Sequence, residues 1–116
     1  MKSFIFSLAA VLFLVLLVIL NGLYIKNATS ELSKATSKIQ SRQDADFLAS
    51  MWQENKLLIS FSASHKEIDK IEEQLEILKI CFENDDKVGF LSSRSLLINC
   101  FEQIKRHEQV TLDNII

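Results

Sequence analysis

The chain has 116 residues, no proline, two glycines and a formal net charge of −2. That length sets a single domain as the expectation, and the scarcity of proline and glycine excludes a turn-rich β architecture in favour of long helices with few connections. The mild charge, with no basic stripe interleaved with aromatics, gives no footprint for nucleic acid.

The first element is the block Phe4–Leu20, FIFSLAAVLFLVLLVIL, interrupted only by Ser7. With the NGLYI that follows, the apolar span reaches Ile25. Crossing about 30 Å of hydrocarbon takes roughly 20 such residues as a helix, and backbone groups in lipid must bond within their own segment. The block is longer than the apolar region of a signal peptide, and its exit, VILNGLYIKNATS, lacks a small-x-small cleavage pattern. Residues 1–26 are therefore expected as an uncleaved, single-pass signal-anchor helix. Lys2 and the amino terminus lie on the short side, Lys26 beyond the span. Because positive charge is retained in the cytoplasm, residues 27–116 are expected outside the cell membrane of a bacterium.

Residues 27–43 follow as a stalk helix and linker. NATSELSKATSKIQ is polar, with Ile25, Leu32, Ala35 and Ile39 at helical spacing, and SRQD offers a break with Asp44 as the next N-cap. From Asp44 to Phe82 no breaker occurs. Phe47, Leu48, Met51, Trp52, Leu58 and Phe61 recur at helical steps, and Ile68, Ile71, Leu75, Leu78 and Phe82 follow a 3-4-3-4 pattern, the seam of a coiled-coil-like packing. The spacing predicts one long helix, or two with a bend in the serine-rich stretch 60–64. Asn84-Asp85-Asp86 is a turn, with Asn84 suited to the left-handed conformation and either aspartate suited to cap a third helix. That helix is expected from Asp86 to His107, with Phe90, Leu91, Leu97, Ile98, Phe101 and Ile104 on its apolar face. The ending VTLDNII is expected to dock on the bundle.

In an antiparallel hairpin turning near Asp85, Cys81 and Cys100 differ in height by roughly 16 Å at 1.5 Å per residue. A disulfide needs Cα atoms within about 7 Å. Two free, buried thiols are expected. The predicted architecture is all-α: an N-terminal transmembrane helix, then an antiparallel helical hairpin or small three-helix bundle over residues 44–116.

These residues carry a family resemblance. The N-terminal anchor, Trp52 in the middle helix, His65-Lys66-Glu67-Ile68-Asp69 leading into Ile71 and Leu75, the acidic turn at Asp85-Asp86, and the ending Glu108 to Ile116 together resemble the domain-of-unknown-function family 4363. Those proteins are small, membrane-anchored and found in Firmicutes. The resemblance spans nearly the whole chain and implies an all-helical single-pass protein with no assigned activity.

The motif His65-x-Glu67-Ile68-Asp69 is the candidate site. Residues four apart share a helix face, so His65, Asp69 and Glu72 form a polar edge beside the Ile68-Ile71-Leu75 seam, with Glu67 turned to solvent. One reading makes His65 a fastener that bonds Asp69 or the ending, where Glu108, Thr111 and Asn114 are the candidates. A second makes these residues, with Trp52, a partner-contact patch, pH-sensitive through the histidine. A third recruits His65, Asp69, Glu72 and His107 or Glu108 to a metal, which needs three or four convergent ligands. Trp52 is expected in the core. No nucleophile, acid–base pair or glycine-rich loop suggests an enzyme, and no cofactor is expected. The sequence thus predicts a non-catalytic accessory or scaffold that binds another envelope or membrane protein or self-associates. The alternative is a ligand- or metal-sensing ectodomain using His65, Asp69 and the C-terminal residues.

Overall fold

The computed structural model describes residues 1–115, with side chains through Asn114. It holds four helices: α1 (Lys2–Ser37), α2 (Arg42–Ile59), α3 (His65–Glu83) and α4 (Lys87–Ile115). No strand occurs among the described residues. Each helix borders the next in chain order, and α4 closes the ring against α1. The result is an antiparallel four-helix bundle on a body 68 × 22 × 22 Å. The expected hairpin or three-helix bundle is present, enlarged by one helix.

The added helix is the outer half of α1. Gly22, Ile25, Thr29, Leu32, Thr36 and Ile39 form a 3-4-3-4-3 stripe, and all are buried. The stretch expected to stand free as a stalk is thus one quarter of the bundle. Thr29 and Thr36 tolerate the core because each hydroxyl donates to its own helix, Thr29 to the Ile25 carbonyl at 2.9 Å and Thr36 to the Leu32 carbonyl at 2.7 Å. The same stripe shortens the segment free to cross a membrane. From Phe4 to Leu20 every residue is exposed except the half-buried Ile19, whereas Gly22 and Ile25 belong to the bundle. Residues 2–21 at 1.5 Å per residue extend roughly 30 Å, long enough to cross a bilayer.

Local chemistry sets the breaks. At the first turn Ser41, not Asp44, is the N-cap of α2: its hydroxyl accepts from the Asp44 N–H, while the Asp44 carboxylate accepts from the Gln40 N–H. The second break falls at residues 60–64, so Asp44 to Phe82 is two helices. Ser64 starts α3 with a complete capping box. The Glu67 N–H donates to the Ser64 hydroxyl, and the Ser64 N–H to the Glu67 carboxylate, both at 3.2 Å. At the third turn it is Asp85, at φ 51°, that takes the left-handed conformation rather than Asn84. The Asp86 N–H then closes on the Cys81 carbonyl at 2.9 Å, a Schellman closure without glycine. Asp86 caps α4 by accepting from the Gly89 N–H at 2.9 Å.

The core is a single cluster. Trp52 and Phe101, both fully buried, meet with ring centroids 6.1 Å apart, among Ile25, Leu32, Leu48, Ile59, Ile71, Leu78 and Leu97. Along α2 the buried line is Ala45, Leu48, Trp52 and Ile59. Phe47, Leu58 and Phe61, expected inside, are exposed. Cys81 and Cys100 are both free and buried. Burial pushes both thiols up, and the nearby Asp86 carboxylate raises Cys81 further.

Candidate functional site

The residues that the sequence grouped together are separated by the fold. His65 is the first residue of α3, and it and Asp69, one turn on, are both exposed. No hydrogen bond or ion pair joins either side chain to another described residue. The reason is rotational: Ile68, Ile71, Gln74, Leu78 and Cys81 turn inward, which places His65 and Asp69 on the opposite side. Among the described residues the fastener expected of His65 is not made. Glu67 is exposed, as expected, and in addition closes the capping box of α3, and Ile68 begins the buried line.

Glu72 sits at the edge between α2 and α3. Its carboxylate accepts from the Trp52 indole N–H at 3.3 Å and pairs with the Lys56 ammonium at 2.9 Å. The bond to Lys56 holds this carboxylate below the usual glutamate range; partial burial opposes that, and the Trp52 bond adds to it. Trp52 is thus a core residue whose one polar atom is satisfied at the rim. This pairing joins α2 to α3.

The C-terminal candidates lie on α4, which runs helically to Ile115, past the expected end at His107. Thr111 is half-buried and donates to the His107 carbonyl of its own helix at 3.0 Å; Asn114 is exposed. Only Glu108 points inward, at 4% exposure, beside Gly22. A Cβ at Gly22 would stand 3.0 Å from Leu112 Cδ2 and 3.3 Å from Glu108 Oε2. The ending therefore docks as a helix against α1, as the Lys26–Gln109 and Ser33–Glu102 hydrogen bonds also do. The docking expected of the Ile115 side chain and of Ile116 lies outside the described residues. His65, Asp69, Glu72 and Glu108 do not converge, and no group of three or more potential metal ligands forms among the described residues.

What the surface offers is shallow. A groove of about 400 Å³ between α1 and α2 is floored by Ala35 and Met51 and overlooked by the exposed Phe47. At the other end of the bundle a cavity of about 250 Å³ brings Val18, Asn21 and Gly22 of α1 together with Phe61, Ser62, His107 and Glu108. Sequence reasoning missed Gly22 as a packing residue. The signal for it was the 3-4 stripe that it opens.

The family model for a domain of unknown function, DUF4363, matches residues 22–115. The chain belongs to the DUF4363 family. The match begins at Gly22, the residue at which α1 joins the bundle, so the DUF4363 domain is the four-helix bundle and the apolar segment precedes it. No curated protein and no solved structure matches the chain.

Proposed function

We propose that this chain is a single-pass membrane protein whose four-helix bundle is a non-catalytic accessory or scaffold for another membrane or envelope protein. The observation that carries this reading is α1 itself. Its apolar segment is exposed along nearly its whole length, and it continues without a break into the bundle. An exposed apolar surface of that size needs a covering, and a bilayer matches its length. A helix that is lipid-facing below and core-forming above holds the bundle directly at the membrane surface. Lys2, on the short side of the span, favours a bundle on the extracytoplasmic side.

Buried apolar side chains of all four helices form one core cluster, and among the described residues the surface offers open grooves with no converging set of metal-ligating groups. That favours recognition over chemistry. Purification of the tagged full-length protein from native membranes in mild detergent, after crosslinking, tests the reading. A stoichiometric membrane or envelope partner is expected. Recovery of the protein alone, without a crosslinked partner, would overturn the accessory assignment.

A further inference from the structure

We propose that the end of the bundle nearest the apolar segment sits in the bilayer interface, with Phe61 as its lipid-facing anchor. The inference rests on the reading of α1 as a membrane span.

Phe61 lies in the connection between α2 and α3, and its side chain is 73% exposed. Leu57, one helical turn earlier, is 71% exposed. Neither packs in the core, and two large apolar groups on one exposed edge are unfavourable in water. Their height explains them. Phe61 lines the same cavity as Val18, Asn21 and Gly22, so it stands beside the last turn of the free apolar segment.

Length arithmetic then places that level relative to lipid. If Phe4 meets the far boundary of the hydrocarbon, a span of about 30 Å at 1.5 Å per residue ends near Tyr24. Val18 and Asn21 then lie roughly 5–9 Å inside the near boundary. Whatever stands level with them cannot remain in bulk water. Around this rim, Tyr24 donates from its hydroxyl to Asn55 at 2.8 Å and keeps its ring 45% exposed, the mixed character of aromatic side chains at a membrane interface. Asn21, Ser62, His107, Glu108 and Thr111 line the cavity with Phe61 and give it polar groups just inside the near boundary, within reach of the headgroups. The occupant of this rim is therefore the lipid interface. The bundle is held by two points, the α1 span and the Phe61 edge.

The test uses the full chain reconstituted into phosphatidylcholine vesicles with acyl chains brominated at shallow or deep positions. Tryptophan emission is read in Phe61→Trp, in Leu12→Trp and in the parent protein, whose one tryptophan, Trp52, is buried. Circular dichroism checks that both variants keep their helical content. We expect loss of Phe61→Trp emission with shallow bromines, loss of Leu12→Trp emission with deep bromines, and little change in the parent. Quenching of Leu12→Trp without quenching of Phe61→Trp would overturn the interfacial seat and leave the span standing. Absence of quenching in both would overturn the span, and the seat with it.

Discussion

Ser64 and Glu67 define what the run SHKEID does in this chain: it starts a helix. The bonds between them satisfy two backbone N–H groups that the first turn would otherwise leave open. Replacing Glu67 with alanine should lower stability by about 1 kcal/mol, as loss of half a capping box does. His65→Ala should leave the melting temperature within error, since its side chain is exposed and unbonded among the described residues. Thermal melts of the two variants compare them directly; a larger loss for His65→Ala would show that the histidine has a structural partner. Glu72 adds a pH dependence. Its folded carboxylate is held below the usual range by Lys56 and Trp52, so its contribution is present above the ordinary glutamate pKa. That contribution falls away as pH drops through the depressed value. About a third of this side chain is exposed, which limits the effect to roughly 0.5 kcal/mol. Glu72→Gln should flatten that part of an acid-stability curve relative to the parent protein. The residue scale is also where sequence reading fell short. Histidine and aspartate four apart look like a pair whatever they face, and only the positions of Ile68, Ile71 and Gln74 decide the facing. The capping box went unread in the sequence, although Ser-x-x-Glu before an apolar run is its signature.

At the scale of elements, the small residues of α1 and α4 set how closely helices approach. A Cβ on Gly89 would come within 2.7 Å of Cys81 Sγ and 2.5 Å of Asp86 Oδ2, the carboxylate that caps α4. Alanine is the better helix former by about 1 kcal/mol. Here the crowding should reverse that gain, so Gly89→Ala is expected to melt at lower temperature than the parent. A rise in melting temperature would mean that Asp86 can move aside without losing its cap. Gly22→Leu should separate the end of α4 from α1, because Leu112 and Glu108 already occupy the space. Faster amide exchange confined to the last turns of α4, with α2 and α3 unchanged, is the expected signature. The elements α3 and α4 were readable from their seams and from the Asn-Asp-Asp turn. The outer half of α1 was readable as a helix but not as a buried one, because NATSELSKATS reads as polar until Thr29 and Thr36 are seen to bond their own carbonyls and behave as core residues. Along α2 the neighbours Leu58 and Ile59 compete for one inward position. The seven-residue step Ala45–Trp52–Ile59 selects Ile59, a step hidden by the apolar residues at 47, 51, 58 and 61.

For the whole molecule, an exposed apolar segment and a filled bundle predict two regimes of chemical access. Cys81 and Cys100 are buried and their thiols are pushed upward by burial, so alkylation at neutral pH should be slow in the folded protein and fast in denaturant. Rapid native labelling of either would show that the bundle opens there. The antiparallel, all-helical class was legible in the sequence because composition, seam spacing and turn chemistry agreed. The membership of α1 in the bundle was not, since its lower half carries so strong a membrane signal that the upper half reads as an appendage.

The continuity of α1 has a mechanical meaning. On the proposed span, one uninterrupted rod would lie in lipid at one end and among three other helices at the other, with no glycine–serine hinge or proline kink between. A bilayer thinner than the apolar segment makes such a rod lean. On that reading the bundle would lean by the same angle, and local membrane thickness would set which of its faces turns toward the lipid plane.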